Sequence, residues 1–176
     1  MKFLAAVLLA SCIASTRAAL PQTAGAPAGS SPPILTRDKA GPLLPPTVFF
    51  DGSVASVQAR NSAALRLGSN KIILAALVDS SGYASDVRER YQGVLLLTAP
   101  VSINDKRLEP GQYGFGFLSG DVMVVMNLGA GDILRTPTTR DNALSRPVPL
   151  QMTPDPDGKR TRLYLGRSYV ELQPVQ

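Results

Sequence analysis

The stretch RLEPGQYGFGF, residues 107–117, decides the fold, because it joins a turn signal to a strict alternation of residue types. Proline fixes φ at the second position of a turn and glycine accepts a positive φ at the third, so Pro110-Gly111 predicts a type II turn. Successive side chains of a strand point to opposite faces. One face then carries Tyr113, Phe115 and Phe117, and the other carries Gln112, Gly114 and Gly116.

The aromatic face has two interpretations, a hydrophobic core or a ligand platform. We favour the core, because aromatic side chains bury large areas and aromatic stripes most often fill protein interiors. The glycine face carries almost no side-chain atoms, so it admits another element at close range or marks a β-bulge.

The sequence on both sides of this stretch consists of short apolar runs that end at turn residues. Such runs at intervals of about 8–12 residues are typical of an all-β sandwich or barrel. We therefore predict one antiparallel β-sandwich domain over residues 47–176. Two runs, residues 71–78 and 122–128, are apolar on both faces, so they predict central strands that are covered on both sides.

One short helix is expected within this all-β domain. Ser85 is placed to cap it, and residues 86–91 provide about a turn and a half. Asp86 and Arg90 have the spacing of an ion pair on one helix face.

The pattern Leu108-x-Pro110-Gly111-x-Tyr113 resembles one found in secreted prealbumin-like sandwiches, including carboxypeptidase-regulatory-like domains. The preceding hairpin sequence, residues 103–108, fits the same pattern. The resemblance covers this turn and strand only. It implies a sandwich and assigns no active-site residue to this chain.

The N-terminal residues 1–19 have the features of an export signal that is cleaved after Ala18 or Ala19. An alternative is that Leu9-Ala10-Ser11-Cys12, which resembles a bacterial lipobox, directs lipidation of Cys12. Residues 20–46 are rich in proline and glycine and predict a disordered or extended linker. The protein is therefore expected to be exported, as a periplasmic or secreted protein, or alternatively as a lipoprotein anchored in the membrane.

The composition excludes several chemistries. Histidine is absent and Cys12 is the only cysteine, so His-based nucleophile pairs, His-ligated metals and Cys-ligated metals in the mature domain are excluded. No phosphate-binding or dinucleotide motif is present. We predict no catalytic residue, no cofactor and no metal site, and a hydrolase built on two facing carboxylates stays a minor alternative.

The net charge is +5, and it falls to +3 without residues 1–19, which hold Lys2 and Arg17 but no acid. A nucleic-acid-binding protein would show dense basic clusters, so no nucleic-acid partner is expected.

Two groups of side chains are candidates for ligand binding. On the predicted strand over residues 161–165, Arg160, Arg162 and Tyr164 share the face opposite to the core, where they could bind an anionic group. The alternative is that these arginines protect an exposed strand edge.

The second group lies around the predicted helix and comprises Tyr83, Arg88 and Arg90, with a covering connection at the end of the sandwich as its alternative.

These observations predict an exported, non-catalytic β-sandwich that serves as a binding or accessory module of the bacterial cell envelope. Its expected ligand is an anionic or polar polymer. The alternative is a structural or assembly protein that meets another envelope protein through its glycine face or an edge strand.

Overall fold

The computed structural model describes residues 33–175, most of which lie in strands. In chain order the strands are β1 (Ile34–Leu35), β2 (Thr47–Phe50), β3 (Ser53–Arg66), β4 (Ile72–Asp79), β5 (Gly93–Leu97), β6 (Val101–Ile103), β7 (Lys106–Leu108), β8 (Gly111–Leu118), β9 (Val122–Met126), β10 (Asp132–Pro137), β11 (Thr139–Arg140), β12 (Leu150–Pro154), β13 (Thr161–Leu165) and β14 (Ser168–Pro174). The helices are α1 (Arg37–Ala40), a 3-10 helix (Gly41–Leu43) and α2 (Ser85–Arg90).

The strands form two antiparallel sheets. The larger sheet has the order β1-β3-β4-β5-β8-β9-β10, with β2 also paired to β3. The smaller sheet has the order β12-β13-β14-β6-β7, with β11 paired to β14. The prediction of an all-β antiparallel sandwich is confirmed.

The main hydrophobic core lies between the two sheets. Its fully buried members from both sheets include Ile73, Leu95, Phe115, Leu163 and Leu172. Tyr113 and Phe117 are partly buried and pack against the same core. The aromatic face of residues 107–117 therefore fills the core, as the alternation predicts.

The outer face of the larger sheet is covered as well. A second cluster contains Phe50 of β2 and Tyr91 after α2, together with Val94 of β5 and Val124 and Met126 of β9. Ala40 of α1 packs on Ala64 and Leu74 in a third cluster. Strands β4 and β9 each have four consecutive buried residues, so the prediction that they are covered on both sides is confirmed.

The glycine face of β8 is where these covering elements come closest. A β-carbon on Gly114 would stand well inside 3.0 Å of the Phe50 ring, and one on Gly116 would stand inside that distance of the Arg90 carbonyl oxygen. Glycine is needed at both positions because any side chain would displace the element above it. The predicted close approach is thus observed.

The turn before β8 differs from the prediction. Gly111 has φ 159° and begins the strand, whereas the third residue of a type II turn has φ near +80°. The Tyr113 hydroxyl donates to the Glu109 carbonyl at 3.0 Å, so the tyrosine ring folds back over Gly111 and holds the segment extended.

The short helix is present, but its capping differs from the prediction. Ala84 is the N-cap and Ser85 is the first helical residue, and no side chain caps the end. Arg90 pairs with Asp132 of β10, not with Asp86. The helix is held by tertiary contacts, which override the local pair.

Residues 33–46, which fall within the predicted linker, contain β1, α1 and the 3-10 helix. The domain boundary at residue 46 stays a prediction. In β1, Ile34 lies opposite Leu65 of β3, and Ala40 of α1 is fully buried. The predicted signal peptide, Cys12 and the rest of the predicted linker lie outside the described residues. Within residues 33–175, none of the helices has the length and apolar character to span a membrane.

Candidate functional site

The two arginines predicted as a binding patch on β13 are engaged within the chain. Arg160 pairs with Glu171 of β14. Arg162 forms an ion pair of 2.5 Å with Asp155, and its guanidinium lies 4.4 Å from the centroid of the Tyr169 ring. Thr161, which lies between the two arginines, and Leu163, which follows Arg162, are both fully buried. The arginines therefore share the opposite face, as predicted, but both charges already have partners.

Tyr164, the third member of that patch, is only 2% exposed. Its hydroxyl donates to the Asp141 carboxylate at 2.9 Å. This hydrogen bond, helped by the backbone N–H groups of Ala143 and Leu144, lowers the pKa of Asp141 below its ordinary value. Tyr164 therefore fastens the segment after β11 to the outer side of the smaller sheet.

Two of the three side chains predicted as a patch around α2 also form contacts within the chain. The Tyr83 hydroxyl donates to the Phe50 carbonyl at 3.1 Å. Arg90 contacts Asp132 and donates to the Ala130 carbonyl at 3.3 Å, which docks the helix on the turn after β9. Arg88 is exposed, and its side chain pairs with no described residue. The two predicted patches lie on different sheets and do not meet.

A different pair of arginines lines the open side of the sandwich. Arg37 of α1 and Arg60 of β3 both line an open cavity of about 670 Å³ and an adjoining one of about 260 Å³. We call this the Arg37–Arg60 groove. Its lining also includes Ile34, Asp38, Pro42, Ala63, Val148 and Met152.

A bulge in β3 directs Arg60 into this groove. Gln58 lies opposite Leu77 and Ser62 lies opposite Ala76, so the residues between them have no partner on β4. Ser62 Oγ donates to the Ala59 carbonyl at 2.6 Å, and Asn61 Nδ2 donates to Gln58 Oε1 at 2.8 Å. These bonds fix the bulge, and bulges commonly re-aim a side chain towards a site.

The charge of the groove is positive and little compensated. Arg60 is exposed and forms no ion pair with any residue between 33 and 175. Arg37 lies 3.9 Å from Asp38, and the two side chains are 70% and 88% exposed. An exposed pair at that distance contributes little and leaves the guanidinium accessible. Two guanidiniums beside one carboxylate favour an anionic ligand.

The smaller cavity of the groove has more apolar than polar surface, and its polar lining includes Thr36, Asn61, Ser62 and Gln151. Its wall includes Ile34 from β1, Ala63 from β3, and Leu150 and Met152 from β12. All four belong to the main core or pack against it. Val148, which is 42% exposed, forms part of the rim. The cavity is therefore an extension of the inter-sheet core that opens to solvent beside the two arginines.

The groove offers binding groups and no catalytic pair. The lining of the groove includes one carboxylate, that of Asp38. A glycosidase needs two carboxylates flanking one cleft. Among residues 33–175 there is also no cluster of three or more His, Cys, Asp or Glu that could hold a metal ion.

Sequence reasoning missed this groove. Arg37 fell within the predicted linker, and Arg60 lies in a run of small residues that has no strong alternation. The polar pair Arg60-Asn61 inside an otherwise continuous strand is a signal for the bulge, but it does not reveal that α1 and β12 lie beside it. A comparison with protein-family models, with curated proteins and with solved structures found no match to this chain.

Proposed function

We propose that this protein is an exported, non-catalytic binding module of the bacterial cell envelope, and that it holds an anionic polymer in the Arg37–Arg60 groove. The features of an export signal in residues 1–19 support the location. One observation carries the ligand class: a hydrogen-bonded bulge projects Arg60, which has no ion-pair partner among residues 33–175, beside Arg37 over an open groove.

The groove replaces the β13 patch as the site of this proposal. Arg160 and Arg162 would have to give up Glu171 and Asp155 before they could bind a ligand. Breaking a partly buried ion pair leaves an uncompensated charge and is costly. Arg60 has no such contact to lose.

The test is binding of dextran sulfate, with uncharged dextran as the reference, measured by isothermal titration calorimetry at two salt concentrations. We expect binding of the sulfated polymer only, and weaker binding at high salt because exposed charges are screened. Arg60→Gln should weaken binding about tenfold, the value of one charge-assisted hydrogen bond. Arg88→Gln is the matched control, since Arg88 is also exposed and its side chain pairs with no residue from 33 to 175.

Equal affinity of the Arg60→Gln variant and the unmodified protein would overturn the assignment of the groove. A loss confined to Arg88→Gln would move the site to α2.

A second candidate function, assembly with another protein, is favoured by one observation. Phe49 and Val54 lie directly opposite each other on the β2–β3 hairpin and are 51% and 61% exposed. Exposed apolar side chains that adjoin each other are typical of interaction surfaces. The glycine face, where this alternative first placed the partner, is filled by Phe50 and by the end of α2.

Sedimentation velocity over a hundredfold range of protein concentration tests the assembly function. Self-association that Phe49→Ser abolishes would support it over polymer binding. A monomer at every concentration would count against association between copies of this chain.

A further inference from the structure

The smaller cavity of the Arg37–Arg60 groove indicates which kind of anionic polymer fits the site. We infer that the anionic polymer carries a short apolar substituent, such as an acyl group, next to its anionic group. The substituent enters the cavity between β1, β3 and β12, and the anionic group stays at the two arginines. This inference rests on the proposed function and adds to it the chemistry of the bound unit.

Two unlike surfaces, one charged and one apolar, adjoin in the groove. Arg37 and Arg60 line both cavities, so a ligand atom at the guanidiniums is at the mouth of the apolar one. A simple polyanion would use only the arginines and would leave the apolar side of the smaller cavity unfilled. Binding sites usually combine an apolar wall with a few polar groups that fix orientation.

The size of the smaller cavity limits the substituent that it can hold. The apolar cavity has a volume of about 260 Å³. An engineered apolar cavity of about 150 Å³ in a protein core can bind benzene, so this cavity has room for a small apolar group. That space accepts a chain of a few methylene groups. It is too small for the two long acyl chains of a phospholipid.

The walls of the smaller cavity are held in place by the fold. Ala63 and Met152 are 4% and 6% exposed and belong to the main core. Ile34 is fixed by its pairing with Leu65. A cavity whose walls are part of the core keeps its shape without ligand, so an apolar group that fills it gains hydrophobic free energy without ordering the protein.

The experiment compares alkyl sulfates that share one head group and differ in chain length, from methyl to hexyl sulfate, by calorimetry with the full-length protein. We expect affinity to rise about two- to fourfold for each added methylene until the cavity is filled. Dextran sulfate partly substituted with hexanoyl groups should bind more tightly than unsubstituted dextran sulfate. Affinity that does not change with chain length would overturn the inference.

Val148→Ser provides the site control, because Val148 lies on the rim and its exposure makes the variant safe for folding. We expect the variant to bind methyl sulfate normally and to show a smaller gain per methylene. Met152→Ala enlarges the cavity and should extend the gain to longer chains. A hexyl sulfate affinity that neither variant changes would place the apolar contact elsewhere and contradict the inference.

The two proposals fail in different ways. If Arg60→Gln weakens dextran sulfate binding but chain length has no effect, the polymer function stands and the substituent is wrong. If chain length matters but dextran sulfate does not bind, the polymer function is wrong and the cavity binds a smaller amphiphile. Tighter binding to phosphatidylglycerol vesicles than to the substituted polymer would contradict a polymer ligand and identify a membrane surface.

Discussion

The carbonyl oxygen of Arg90, the last residue of α2, lies where a β-carbon on Gly116 of β8 would stand. Gln92 secures this approach, since its side-chain amide donates to the Phe117 carbonyl at 3.1 Å and accepts from the Phe117 N–H at 2.9 Å. The helix can cover the larger sheet only because β8 presents glycine at this point.

Gly116→Ala should therefore destabilise the domain by about 3 kcal/mol, the upper part of the range for overpacking, because the obstacle is backbone that cannot rotate away. Gly82→Ala is the matched control, since no heavy atom lies within 4 Å of the position of its β-carbon. Urea unfolding followed by circular dichroism measures both. Equal stability of the two variants would show that α2 can shift freely.

Tyr91→Phe should leave the free energy of unfolding unchanged or raise it by up to about 1 kcal/mol. The Tyr91 ring stacks on Phe50 with 3.9 Å between the ring centroids. Its buried hydroxyl has no hydrogen-bond partner among residues 33–175. Removing the hydroxyl therefore removes the free-energy cost of burying it without a hydrogen bond. Tyr83→Phe, which loses a bond to the Phe50 carbonyl, should instead cost about 1 kcal/mol.

The same burial raises the pKa of Tyr91 above its ordinary value. A group whose pKa is raised on folding stabilises the protein below its unfolded pKa, and this contribution is lost as the pH rises past about 10. Thermal melts at pH 7 and above pH 10 should show a smaller alkaline loss in Tyr91→Phe. An identical loss in both proteins would contradict this assignment.

Asn104→Gly should cost about 2–3 kcal/mol, because three side-chain hydrogen bonds are lost. Asn104 Oδ1 accepts from the Glu171 N–H, and Asn104 Nδ2 donates to Thr136 Oγ1 and to the Pro137 carbonyl, so one side chain joins the two sheets. Glycine adopts the φ of 44° at this position without strain. The measured loss of stability therefore reports the hydrogen bonds and not a change in backbone strain.

Asp105→Gly is the control for that variant. Asp105 is also in the left-handed region, with φ 65°, and its carboxylate is 79% exposed and 3.9 Å from Arg160. We expect a change within about 0.5 kcal/mol, as for ordinary surface substitutions. Chemical unfolding of both variants measures the change in the free energy of unfolding. An equal loss of stability in the two variants would assign the effect to the turn and not to the hydrogen bonds.

Tyr164→Phe should raise the pKa of Asp141 towards its ordinary value, since the Tyr164 hydroxyl is the main cause of its depression. A depressed carboxyl pKa stabilises the folded state above the unfolded pKa of about 3.9, and this contribution is lost as the pH falls through the folded value. NMR titration of the Asp141 carboxyl carbon measures the shift. Asp157, whose pKa is lowered chiefly by the Lys159 backbone N–H, should titrate unchanged.

Local pattern predicted those parts of the fold that depend on alternation and on turn residues. The aromatic alternation of residues 113–117 placed Phe115 in the core, and the bare glycines predicted a close approach. The pattern could not identify Phe50 and Arg90 as the approaching groups, because they come from distant parts of the chain and are brought there by tertiary packing.

The candidate site was predictable only in its chemistry. Arginine was expected to carry anion binding, but the partners of Arg160 and Arg162 lie across a turn and on a neighbouring strand, beyond any local pattern. Arg37 was assigned to a linker because its segment has few apolar residues. Its few apolar residues still pack on the domain, since Ile34 packs against the main core and Ala40 against Ala64 and Leu74.

In the proposed function, Arg37 and Arg60 bind the anionic ligand. The most direct measurement follows the arginine side-chain Nε–Hε resonances by NMR during titration with a sulfated dextran oligosaccharide. We predict saturable shifts of Arg37 and Arg60, with Arg160 and Arg162 unchanged because their ion pairs persist. Shifts of Arg160 and Arg162 with Arg60 unchanged, or no shift of any arginine, would contradict the account.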